Sequence, residues 1–163
     1  MDLSVFRRGS IVLASSAALL VVACGGGSSS GSSSSAASPT PKAAATVKTA
    51  AKTVAGKSET ILVDAKCITL YYFTPDKGGT VTCTAACLQN WPPLLLPSGT
   101  SSPTAASGLS GKLATVSNPK GTQVSYNGWP LYYYFKDKDS EDTYGQNVGG
   151  KWFVVTPDVA SAT

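Results

Sequence analysis

Leu70-Tyr71-Tyr72-Phe73-Thr74-Pro75-Asp76 returns 61 residues later as Leu131-Tyr132-Tyr133-Tyr134-Phe135-Lys136-Asp137. At the same offset Trp91 falls on Trp152, Val63 on Val124, and Ala65-Lys66-Cys67 on Tyr126-Asn127-Gly128. Self-similarity at a fixed period marks a duplicated structural unit. Each copy reads as a strand, a tight turn, an aromatic strand, an Asp, a loop and then a Trp. Short β-branched and aromatic runs separated by turn residues predict a β-rich or all-β domain.

The turns divide the second copy. Asn127-Gly128 predicts a type I′ hairpin, because both central positions need positive φ. It would join strand Gln123–Tyr126 to strand Leu131–Phe135. Asn118-Pro119-Lys120-Gly121 is a further turn, placing a strand at Leu113–Ser117. Trp152–Val155 reads as the closing strand. Residues 97–112 are Ser/Gly/Pro-rich and form a surface loop between units at about 59–96 and 113–157. The expected fold is thus one compact β-rich domain over 59–157, with one short helical turn near Cys83–Asn90 and a tail at 158–163.

Upstream the composition changes. Arg7 and Arg8 precede an apolar run from Ile11 to Val22, which is short of the about 20 residues that span a bilayer. Its length suits a signal peptide, residues 1–23. The run ends Leu20-Val21-Val22-Ala23-Cys24 and looks like a bacterial lipobox, so Cys24 is expected to carry lipid. The expected location is the extracytoplasmic face of the cell membrane. Residues 24–58 would then be the anchor and a disordered Gly/Ser/Ala/Lys-rich tether, flexible because it offers few large apolar groups to bury.

Composition excludes much. The chain has no histidine, which removes the usual general base and the commonest metal ligand. The net charge of +4 is concentrated upstream, whereas from Glu59 onward seven lysines face eight Asp and Glu. Nucleic-acid binding needs a clustered basic face and is not expected. No catalytic residue, cofactor or resident metal is expected. Asp137-Lys138-Asp139-Ser140-Glu141-Asp142 alternates oxygen donors, but it lacks an EF-hand glycine and reads as a solvated turn.

The quoted residues resemble a family of bacterial lipoproteins with a Tyr-x-(Phe/Trp/Tyr)-x-x-Asp motif, described as a secreted repeat of unknown function. The motif stands at Tyr71–Asp76 and again at Tyr132–Asp137. Cys83-Thr84-Ala85-Ala86-Cys87-Leu88-Gln89-Asn90-Trp91-Pro92-Pro93 is similar to the family's Cys-x-x-x-Cys…Trp-Pro-Pro segment. Tyr126–Tyr132 and Gly149–Val155 resemble its second-repeat signature. The resemblance covers roughly 60–157 and implies no activity. Where the family's first repeat has a glycine in its turn, this chain has Cys67.

With Cys24 lipidated, three cysteines remain. Four residues of straight strand would hold Cys83 and Cys87 about 13 Å apart, but a helical turn brings them to about 6 Å, within disulfide reach. A structural Cys83–Cys87 disulfide is the favoured reading, leaving Cys67 as the odd thiol and a candidate free one. The alternative is a small thiol-redox or soft-metal, copper-type protein using Cys83, Cys87 and Cys67. Tyr71 and Phe73 share one strand face, as do Tyr132 and Tyr134. They are expected in the core, with Asp76 and Asp137 accepting backbone N–H bonds in the next turn. The alternative makes Tyr71, Phe73, Asp76, Tyr132, Tyr134 and Asp137 a ligand platform for a cell-envelope polymer or protein partner.

Overall fold

The computed structural model describes residues 46–163. The expected signal peptide, Cys24 and the tether as far as residue 45 lie outside the described residues. The described part is β-rich, with seven short strands and a single four-residue helix, α1, at Cys87–Asn90.

The first unit opens with β1 (Val47–Val54) and β2 (Lys57–Asp64), paired antiparallel from Val47↔Asp64 to Val54↔Lys57. The tether expected through residue 58 is thereby corrected, since its last dozen residues are hairpin. Ala55 and Gly56 close it with φ of 49° and 83°, the two positive values of a type I′ turn. Val54 and Ala50 pack into one core cluster and Val47 into another. Few large side chains suffice here because β2 supplies the rest.

The second unit repeats this. β4 (Leu113–Asn118) and β5 (Gly121–Tyr126) pair around Pro119-Lys120, and β6 (Trp129–Pro130) follows the Asn127-Gly128 turn, with φ of 48° and 86°. The expected strand Leu131–Phe135 is replaced by a single two-sided bridge at Tyr132, to Tyr71 and to Pro93. β3 (Tyr71–Phe73) pairs with β7 (Trp152–Val154).

The first-copy turn is one residue longer. Leu70 N–H bonds to Leu62 C=O and Leu131 N–H to Val124 C=O. Val124 therefore corresponds to Leu62 rather than to Val63. The extra residue fits a three-residue loop ending in a left-handed position, which Cys67 occupies at φ 67°. A side chain thus takes the conformation that Gly128 provides in the second copy.

The closing segments are exchanged between the units. Leu62 N–H bonds to Val155 C=O, and Val155 N–H to Leu70 C=O; in mirror fashion Val124 N–H bonds to Leu94 C=O, and Leu94 N–H to Leu131 C=O. Thr74 N–H to Lys151 C=O and Phe135 N–H to Asn90 C=O, both 2.9 Å, form another matched pair. Such reciprocity is the mark of an approximate two-fold axis, here within one chain. It passes between Tyr71 and Tyr132, whose backbones bond to each other in both directions at 2.8 and 2.9 Å.

Because the central strands have core on both faces, their apolar runs are continuous rather than alternating. Ile61, Leu62 and Val63 are all fully buried, Ile61 and Val63 in one cluster and Leu62 in the other. The expected tail at 158–163 is also corrected. Trp129 Nε1 donates to Ala160 C=O, Asn127 Nδ2 to Val159 C=O and Ala162 N–H to Asn127 C=O, so the C-terminal residues cover the second hairpin turn.

Candidate functional site

The duplicated motif converges on the two-fold axis. Tyr71 and Tyr132 are fully buried, and each hydroxyl donates at 2.6 Å to a carboxylate of the other unit: Tyr71 to Asp137 Oδ2 and Tyr132 to Asp76 Oδ2. The second oxygen of each Asp ties down its own following turn. Asp76 Oδ1 accepts the N–H and hydroxyl of Thr82, and Asp137 Oδ1 accepts the Tyr144 N–H. The expectation of backbone acceptance at both Asp residues holds, and the exchange between units adds the Tyr partner that sequence alone did not show.

Burial, reinforced by the bond to Asp137, holds the Tyr71 hydroxyl well above its usual range, and Tyr132 is raised by burial and its bond to Asp76. The Asp137 carboxyl is itself pushed up by burial, against the opposing pull of the Tyr71 hydroxyl and the Tyr144 N–H. Such short, partly charge-assisted bonds in a dry setting are stronger than their surface counterparts.

Four rings stack across the axis. Phe73 lies on Trp152 at 4.2 Å between centroids, Trp152 on Trp91 at 3.7 Å and 2° between planes, and Trp91 on Tyr134 at 4.4 Å. Tyr71 meets Trp91 edge-on at 5.6 Å, and Tyr132 meets Trp152 in the same way at 5.2 Å. Gly145 allows the loop to close on this cluster, because a Cβ there would stand 2.7 Å from two Tyr71 ring atoms.

The ligand platform therefore takes a correction. Tyr71, Tyr132, Asp76, Asp137 and Tyr134 are all buried, and Phe73 is half-buried against Trp152. A face already stacked on its own chain offers no area to a glycan or planar ligand. Among the described residues the exposed large hydrophobic side chains are Phe135, edge-on to Tyr134 at 5.1 Å, and Tyr144.

Cys83 and Cys87 form the disulfide, Cα atoms 5.3 Å apart, at the start of α1. Cys67 stays outside it. Its carbonyl accepts from Lys52 Nζ at 2.8 Å, and Lys52 also donates to Thr69 Oγ1, which in turn donates to Asp142 C=O. Lys52 is buried, and desolvation lowers its pKa against the pull of Glu141 and Asp137. Nothing in the tether-like composition of residues 43–58 signalled a buried lysine. In the acidic loop, Asp142 Oδ2 accepts the N–H groups of Lys138 and Asp139. No group of three or more His, Cys, Asp or Glu side chains is poised for a metal ion among the described residues.

A family model matches the chain twice, over residues 52–95 and 114–156, and the boundary between the matches falls in the connector between the two exchanged units. The chain belongs to a family of secreted repeats of unknown function. No curated protein and no solved structure matches it. Both matches of the secreted repeat begin inside a leading hairpin strand, β1 or β4, and end at the closing segments that the units trade. The secreted repeat is thus half of a mutually completed pair.

Proposed function

We propose that this secreted-repeat protein is a membrane-anchored, non-catalytic envelope lipoprotein of the Tyr-x-(Phe/Trp/Tyr)-x-x-Asp class, held by lipid on Cys24 after removal of residues 1–23. Its folded domain serves as a binding or structural module at the extracytoplasmic face of the cell membrane. One observation supports the non-catalytic reading above others: the motif's own polar groups are consumed internally, each Tyr hydroxyl and each Asp oxygen already bonded within the chain. A buried carboxylate that already holds a donor on each oxygen is not presented to a substrate from solvent. The lipid supplies the membrane affinity, which two acyl chains make stable.

The anchor is tested by growing expressing cells on an alkyne-tagged fatty acid. The intact chain should take up the tag and fractionate with membranes, and Cys24→Ser should lose both. Tag uptake by the Cys24→Ser chain, or soluble intact protein without tag, overturns the anchoring.

A further inference from the structure

The paired Tyr–Asp contacts and the ring stack share one cluster, and together they constitute more than packing. We propose that the two-fold core is a one-electron oxidation site, in which a hole placed on the Trp91–Trp152 stack passes to Tyr71 or Tyr132 as the tyrosine gives its proton to Asp137 or Asp76. It goes beyond the envelope-module reading and does not depend on it.

Three features carry this. Trp91 and Trp152 are parallel at 3.7 Å, so positive charge on one is shared with the other. Each tryptophan has one of the buried tyrosines against its edge, Tyr71 on Trp91 and Tyr132 on Trp152. Each of those tyrosines holds a 2.6 Å hydrogen bond to a carboxylate oxygen, within the reach at which a positioned base takes a proton. A neutral tyrosine in a dry interior resists losing an electron alone, because the resulting cation would be unsolvated. A proton moving along the existing bond removes that cost.

The step balances as follows. An external one-electron oxidant, a strongly oxidising radical or high-potential metal complex, takes an electron from the indole pair and is itself reduced. The tyrosine returns an electron to the indole cation; its O–H bond breaks, and an O–H bond forms on the Asp Oδ2. The products are a neutral tryptophan, a neutral phenoxyl radical and a carboxylic acid. An electron from a reductant reverses the transfer, and the Asp gives the proton back. Histidine and methionine do not compete within the domain, since the chain has no histidine and Met1 is its one methionine. Five further tyrosines do, Tyr134 on Trp91 among them, and the Tyr71→Phe/Tyr132→Phe chain separates their share.

Pulse radiolysis with the azidyl radical tests this on the folded protein, in a Cys24→Ser/Cys67→Ser background so that no thiol outside the Cys83–Cys87 bond competes. Tryptophanyl absorbance should decay into tyrosyl absorbance at a rate independent of protein concentration, and more slowly in D2O. Asp76→Asn/Asp137→Asn should slow that phase, and Tyr71→Phe/Tyr132→Phe should abolish it. Tryptophanyl decay without tyrosyl growth, or an equal rate in D2O, overturns the proposal on the unsubstituted core, whatever the variants do. Survival of the isotope-sensitive phase in a folded Tyr71→Phe/Tyr132→Phe chain also overturns it.

Discussion

At the scale of single residues, the exchanged Tyr–Asp bonds carry the specificity of the fold. Tyr71→Phe leaves Asp137 Oδ2 buried with its donor gone, and Asp137→Asn places an amide where the hydroxyl needs a strong acceptor. Each should cost about 1.5–3 kcal/mol, the range for hydrogen bonds to charged groups. The Tyr–Asp bond is lost in either case, and Tyr71→Phe also strips the Gly145 N–H of its acceptor. The double variant should therefore cost little more than Tyr71→Phe alone, giving a coupling on the order of 1–3 kcal/mol. Urea unfolding of the four proteins measures it. Additive costs would mean that the two side chains stabilise independently and that the 2.6 Å contact contributes nothing of its own. Tyr132 and Asp76 should show the same coupling, since the axis makes the pairs equivalent.

At the scale of elements, the second hairpin was legible and the first was not. Asn127-Gly128 names its turn type, and Pro119-Lys120 interrupts two β-branched runs, so the strand at Leu113 was read within one residue of its end. β1 has the same role but reads Val-Lys-Thr-Ala-Ala-Lys-Thr-Val, in which alanine and lysine dilute the β pattern. Its signal lay in the repeat itself, because the period that aligns the aromatic strands also demands a hairpin before the first one. The exchange of closing strands had no local signature, since periodicity reports which face is buried and not which unit covers it. The site divides in the same way: the disulfide and the paired Asp residues were readable from spacing, whereas the Tyr–Asp exchange and buried Lys52 depend on contacts between distant segments. The turn of β1 and β2 also offers a test. Ala55 is exposed and sits at φ 49°, where a Cβ is disfavoured by about 1–2 kcal/mol. Ala55→Gly should raise stability by up to about 1 kcal/mol after the entropy cost of glycine, read as a higher urea midpoint with an unchanged slope. An unchanged or lowered midpoint would show that this hairpin does not hold its turn in solution.

At the scale of the whole molecule, the buried hydroxyls make stability a function of alkaline pH. Tyr71 and Tyr132 have pKa values raised above the ordinary 10.0, by burial first and then by their Asp partners. A raised group contributes stability that is complete below its unfolded value and is lost as pH climbs towards the folded one. Above pH 10.0 the unfolded chain releases protons that the folded chain retains at both sites, so stability should fall by about 1.4 kcal/mol per pH unit for each, roughly 2.7 together. Lys52 acts in the opposite sense. Its pKa is lowered from 10.5 by burial, so its contribution is complete above 10.5 and fades as pH drops, which leaves the tyrosine slope unopposed beyond that point. Chemical denaturation at a series of pH values above about 10.5 reads the slope directly. In a folded Tyr71→Phe/Tyr132→Phe chain the slope should drop by about 2.7 kcal/mol per pH unit, because phenylalanine has no proton to withhold. What remains comes from Tyr133, which burial and Asp64 also raise, and from half-buried Tyr72. A wild-type slope near zero, or one unaltered by the double substitution, would place those hydroxyls in contact with water and separate the two halves of the molecule at the axis where they are joined.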